Sequence, residues 1–114
     1  VMNNYAYYLS LEDTLLERAE ELSQKTIIRF PENPVYLDTY AWILYKMKDY
    51  ETALEYIQRA YENEKEDPDV LFHYAEILRR NGLKERAVVY FRKAEEAGYD
   101  SEEINTIKNE MEFE

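Results

Sequence analysis

The amino-acid sequence predicts an all-α fold, an α-α superhelix (a right-handed solenoid) of stacked helix pairs. Three observations predict it. The chain matches itself at a spacing of 34 residues, each matching segment carries apolar residues with the period of a helix, and no segment alternates as a strand does. Only two glycines occur in 114 residues, which leaves little room for hairpin turns.

The repeat is defined by small and apolar residues that coincide in one register. An upstream copy continues it through Ala19 and Thr26, and through Tyr5, Ala6 and Leu9 at a spacing of 35. We therefore predict a single domain over residues 1–114, with repeats at about 1–33, 34–67 and 68–100 and a capping helix at 101–114. The matching pairs are Pro34 and Pro68, Leu37 and Leu71, Tyr40 and Tyr74, Ala41 and Ala75, Leu44 and Leu78, Ala53 and Ala87, and Ala60 and Ala94.

Capping residues fall where this register needs helices to begin and end. Asn33 and Asp67 each precede a proline, which is typical of a helix start. Asp49 and Ser101 are predicted to cap two further helices, and Thr14 with Glu17 forms a capping-box pattern. Gly82 and Gly98 are predicted in turns. In the last helix the apolar residues form one narrow stripe, as a terminal element requires: Ile104, Ile107 and Met111.

Composition excludes several classes of function. A net charge of −11 argues against a nucleic-acid partner, and the absence of cysteine excludes disulfides and thiolate metal sites. No apolar run is long enough for membrane insertion, and no signal peptide is visible. The single histidine, His73, has no second histidine or cysteine to assist it, so we interpret it as a polar residue on an open helix face. We predict no catalytic, cofactor-binding or metal-binding residues.

The repeat resembles the tetratricopeptide repeat, a helix–turn–helix unit of 34 residues. The resemblance covers about residues 1–98 and departs from the family pattern at single positions, for example Ser23 in place of a large residue. It is carried in the second repeat by Leu37, Tyr40, Ala41, Leu44, Tyr50, Ala53, Ile57 and Ala60, and in the third by Leu71, Tyr74, Ala75, Leu78, Ala87, Phe91 and Ala94.

The resemblance implies that partners bind the concave face, which the first helix of each pair lines. The family's basic ladder for a C-terminal carboxylate is missing from the matching positions, which include Thr39 and His73. We therefore expect a different binding mode. The candidate partner-binding residues are Tyr7, Asp38, Thr39, Trp42, Tyr45, Phe72, His73, Glu76, Arg79 and Arg80.

Two groups among these residues have alternative interpretations. The aromatic side chains of Tyr7, Trp42, Tyr45 and Phe72 either anchor a peptide in the groove or shield the seams between helices. The third repeat is neutral overall, and its Arg79 and Arg80 either meet an acidic group of a ligand or pair with neighbouring carboxylates such as Glu76 and those of the final helix.

The leading functional hypothesis is a non-catalytic scaffold that binds a protein or peptide on its concave face. The alternative is a structural segment of a longer array, or a module for homo-oligomerisation. No cap precedes the first helix, so the chain looks like a fragment whose Val1, Tyr5 and Tyr8 expose a surface for self-association. An enzyme would need a cofactor or substrate in the groove. Residues 33–44 resemble bacterial versions of the repeat, with cytoplasmic and cell-envelope locations both open.

Overall fold

The computed structural model describes residues 15–111, which form six α-helices and no strand. The predicted first helix, with Tyr5, Tyr7 and Tyr8, and the capping residue Thr14 lie outside the described residues. The predicted repeat boundaries and the self-association surface therefore stay predictions. The helices are α1 (Leu16–Arg29), α2 (Pro34–Lys46), α3 (Tyr50–Asn63), α4 (Pro68–Arg80), α5 (Lys84–Glu96) and α6 (Ser101–Met111).

Helices α2, α3 and α4 begin at the predicted caps. The Asn33 side chain accepts hydrogen bonds from the backbone N–H groups of Val35 and Tyr36, and the Asp67 carboxylate serves α4 in the same way. Asp49 accepts from the N–H of Thr52 at the start of α3. These side chains satisfy backbone donors that have no partner within the helix.

The prediction for α6 is wrong by one residue. Ser101 is the first helical residue rather than the cap, and the Asp100 carboxylate accepts the hydrogen bond from Glu102 N–H at 2.9 Å. Aspartate and serine cap equally well, and a carboxylate at a helix N-terminus also interacts favourably with the helix dipole.

The turns after α2, α4 and α5 each need one residue in the left-handed region. Gly82 (φ 80°) and Gly98 (φ 103°) occupy it after α4 and α5, which confirms their predicted place in turns. After α2 the same position holds Lys48, with φ 67°. A residue with a Cβ is strained there, so equivalent turns of the two repeats differ in backbone strain.

The core consists of the residues that repeat. Leu37, Leu71, Ala53 and Ala87 are at most 2% exposed, and the alanines let the paired helices approach closely. The final helix buries Ile104 and Met111 and keeps its other face polar. This core confirms the predicted all-α superhelix. No helix within residues 15–111 is both long and apolar enough to cross a membrane.

The superhelix is curved, with α2 and α4 on its inner side. Each helix packs on the next along the chain, and α2 also touches α4. The backbones of the second helices of these pairs, α3 and α5, lie farther apart, and these helices meet through long side chains such as Tyr61 and Tyr90. Since equivalent helices lie closer together on the inside of a bend, the shared face of α2 and α4 is the concave face.

Candidate functional site

A continuous row of rings runs along the concave face and joins both helix pairs. We call it the aromatic row and define it as Tyr45, Trp42, His73, Phe72 and Tyr99. Tyr45 and Trp42 stack with centroids 4.3 Å apart, and Trp42 and His73 stack at 4.0 Å. Phe72 meets the edge of His73 at 6.0 Å and stacks on Tyr99 at 4.2 Å. Trp42, Tyr45, His73 and Tyr99 remain partly exposed to solvent.

A hydrogen bond between His73 and Asp38 holds the middle of the aromatic row in place. His73 Nδ1 lies 2.7 Å from Asp38 Oδ1, and both side chains are less than one-fifth exposed. This contact joins α4 to α2 and fixes the imidazole ring against the indole of Trp42. Asp38 and His73, both predicted for the site, are thus brought together, with Thr39 half-buried beside Asp38 on α2.

Glu76 organises the Tyr45 end of the row. Its side chain is only 6% exposed and accepts hydrogen bonds from the Tyr45 hydroxyl and from Arg79, whose Nε lies 2.7 Å away. Arg80 Nε is 3.5 Å from the same carboxylate, and Arg79 also reaches Glu110 of α6 at 3.8 Å. A buried carboxylate needs this much compensation, because an unpaired one costs several kcal/mol.

The surroundings of Tyr45 disfavour its ionised form. Burial and the hydrogen-bonded carboxylate of Glu76 raise the pKa of Tyr45 to about 12, while Arg80 opposes the shift. The hydroxyl therefore stays protonated near neutral pH and donates to Glu76.

Tyr99 ends the row in an acidic environment. Its hydroxyl donates to Glu103 at 3.1 Å, and it lies in the turn between α5 and α6. Burial raises the pKa of Tyr99 well above its usual range, and the negative charges of Glu103, Asp69 and Asp100 raise it further. Acidic groups from the start of α4, from the turn between α5 and α6, and from the start of α6 therefore converge on this ring.

Two of the predicted partner-contacting residues are buried instead. Phe72 is 3% exposed, because Tyr99 covers one face of its ring and Phe91 of α5 packs against it. Glu76 is 5% exposed beneath Arg79 and Tyr45. Of the two interpretations of Phe72, its burial fits a ring that shields a seam between helices, and neither Phe72 nor Glu76 is exposed enough to be a first point of contact for a partner.

Arg79 fits the second interpretation, in which the arginines pair with neighbouring carboxylates, whereas Arg80 contacts Glu76 and keeps 46% of its side chain exposed. Arg79 and Arg80 both contact Glu76, and Arg79 also contacts the final helix. Sequence reasoning missed Tyr99, because it follows Gly98 in a turn rather than lying on a first helix. Its signal was an aromatic residue directly after a helix-ending glycine. Within residues 15–111, no three acidic or histidine side chains are grouped so that they could hold a metal ion.

The sequence profile of the tetratricopeptide repeat family matches residues 13–97 of the chain. The protein therefore belongs to the tetratricopeptide repeat family. Among curated proteins, no sequence matches the chain significantly.

Solved structures share the fold at low sequence identity. The type III secretion chaperone SycD of Yersinia enterocolitica, crystallised with a peptide of the translocator YopD, has 17% identity and a TM-score of 0.71, over 94% of this chain and 84% of that chain. A second SycD structure gives a TM-score of 0.72 at 17% identity, over 94% and 76% of the two chains. A third, described as an alternative dimer, gives 0.71 at 17% identity, over 95% and 84%.

Proposed function

We propose that this chain is a non-catalytic scaffold that binds an extended protein segment along the concave face of α2 and α4. The observation that carries the proposal is the aromatic row, in which rings from both helix pairs form one partly exposed surface. Aromatic side chains anchor peptides well, since they offer a large contact area and lose little rotamer freedom.

The polar groups around the row favour an apolar segment at its centre. Asp38 is paired with His73, and Glu76 is paired with Tyr45 and Arg79. Because these groups already satisfy one another, a ligand at the centre loses little by contacting them with apolar side chains. A carboxylate at this point would instead compete with Asp38 and Glu76 for their partners.

The structural relatives support a protein ligand in general terms. One SycD structure contains a translocator peptide. At 17% identity the likeness extends to the fold, so the choice of the concave face here rests on the aromatic row itself.

Trp42 provides the direct test. A random peptide library is selected for binding to the wild-type chain, and the recovered peptides are measured against Trp42→Ala. Tyr36→Ala is the matched control, because it removes another partly buried ring of α2 that packs on Phe30 away from the aromatic row. We expect Trp42→Ala to weaken binding about tenfold or more, as loss of an aromatic anchor does.

Circular dichroism separates binding from folding. We expect both variants to keep their helical content. The proposal is wrong if the recovered peptides bind Trp42→Ala as tightly as the wild type. It is also wrong if helical content collapses only in Trp42→Ala, because Trp42 would then be a core residue.

A further inference from the structure

The two ends of the concave face carry opposite charge. At the Tyr99 end, Asp69, Asp100 and Glu103 surround the ring, and all three are exposed. No basic side chain among the described residues forms an ion pair with any of them. This end therefore presents an uncompensated negative potential to a ligand.

The Tyr45 end presents two basic side chains to solvent, Lys46 of α2 and Arg80 of α4. Arg79 is already engaged with Glu76 and Glu110. Arg80 is 46% exposed in its side chain and its Nε lies 3.5 Å from the Glu76 carboxylate, so its guanidinium has N–H groups left to donate to a second carboxylate. Lys46 lies one helical turn after Trp42 on the same face and is exposed.

The direction of the helices produces this polarity. Residues further along α2 contact residues further along α4: Asp38 contacts His73, and Tyr45 contacts Glu76. The two helices therefore run parallel. Acidic groups near helix starts and cations near helix ends are also favoured by the helix dipoles. The dipoles do not dictate which face carries the charges, and here Asp69, Lys46 and Arg80 lie on the ligand-facing side.

We infer that the concave face selects an extended segment with a basic residue at one end, an apolar centre and an acidic residue at the other. The basic residue lies toward Asp69 and Glu103, the apolar centre on Trp42, and the acidic residue toward Lys46 and Arg80. This inference rests on the proposed function and adds the chemistry of the partner.

The spacing follows from helix geometry. Asp69 and Arg80 are separated by eleven residues of α4, or about 16 Å at the rise of an α-helix. An extended chain advances about 3.3 Å per residue, so about five residues separate the two charges of the ligand.

The test is the same library selected in parallel on the wild type, Lys46→Glu and Lys25→Glu. Lys25 is exposed on α1, outside the concave face of α2 and α4, so its substitution makes the same change in net charge as a matched control. From the wild type and Lys25→Glu we expect peptides with a basic and an acidic residue about five positions apart. From Lys46→Glu we expect the acidic residue to be lost or replaced by a basic one.

Affinities of single synthetic peptides complete the test. Neutralising the acidic residue of a recovered peptide should weaken binding to the wild type about fivefold at low salt and leave binding to Lys46→Glu unchanged or tighter. Recovered peptides that need Trp42 but show no charge pattern, or the same pattern on all three proteins, overturn this inference and leave the proposed function standing. If every recovered peptide binds Trp42→Ala as tightly as the wild type, both the proposed function and this inference are wrong.

Discussion

Helices α2 and α4 occupy equivalent places in successive repeats, yet they agree on one face and differ on the other. On the buried face, Leu37 corresponds to Leu71 and Tyr40 to Tyr74, and all four are at most 4% exposed. On the concave face, Lys46 and Arg80 are both basic, but four other pairs at the same spacing are chemically unlike: Asp38 and Phe72, Thr39 and His73, Trp42 and Glu76, Tyr45 and Arg79.

The comparison shows that the two repeats carry the same residues where the two helices of a pair pack on each other. They carry mostly different residues where neighbouring pairs meet in the groove. The unlike residues contact one another across the repeat boundary, as Trp42 does with His73 and Tyr45 with Glu76. Identical residues would place like charges or like rings side by side. The groove therefore gains cross-repeat contacts that a perfect repeat could not form.

The largest expected effect on stability is at Phe72, and it should exceed the effect at the equivalent position of the preceding repeat, Asp38. Phe72→Ala removes a ring that is 3% exposed and should lower the free energy of unfolding by about 3–4 kcal/mol. Asp38→Ala removes a partly exposed partner of His73 and should cost about 1 kcal/mol. Urea unfolding followed by circular dichroism measures both. Equal losses would contradict the distinction between core and groove at this position.

The next largest expected effect is a loss of stability on substitution of Glu76. Glu76→Gln keeps the size of the side chain but removes the buried negative charge that Arg79, Arg80 and the Tyr45 hydroxyl share, so we expect a loss of about 3 kcal/mol. Glu62→Gln, at an exposed carboxylate of α3, serves as the control and should change stability by less than about 0.5 kcal/mol. A loss below about 1 kcal/mol for Glu76→Gln would show that Glu76 does not organise this end of the row.

The smallest expected effects are changes in the free energy of unfolding at the equivalent turns of the two repeats, and they have opposite signs. Lys48→Gly relieves a residue at φ 67° and should raise the free energy of unfolding by about 1 kcal/mol. Gly82→Ala places a side chain at φ 80° and should lower the free energy of unfolding by about 1 kcal/mol, although no atom beyond the adjacent residues lies within 4 Å of the new Cβ. Thermal unfolding measures both, and shifts of the same sign would rule out backbone strain as their cause.

Much of the fold could be predicted from the sequence, because a single 34-residue register determines which residues are buried. Asn33, Asp49 and Asp67 also marked helix starts correctly, since capping depends on local contacts alone. Ser101 and Asp100 are adjacent and cap equally well, so the sequence could not choose between them.

The candidate site was less predictable, because its contacts form between repeats. The faces of α2 and α4 could be identified from helical periodicity, which placed Trp42, Tyr45 and His73 correctly on one surface. The burial of Phe72 depends on Tyr99, which reaches it from a turn 27 positions later in the chain. No periodic pattern predicts such a contact.

The most direct test of the central claim, that the concave face binds the ligand, is nuclear magnetic resonance mapping. A peptide recovered from the library on the wild type is titrated into isotope-labelled protein, and amide shifts are followed together with the indole N–H of the single tryptophan. We predict that the largest changes occur at Trp42, His73 and neighbouring groups of α2 and α4. Changes confined to the outer surfaces of α3 and α5, with the Trp42 indole unmoved at saturation, would contradict the account.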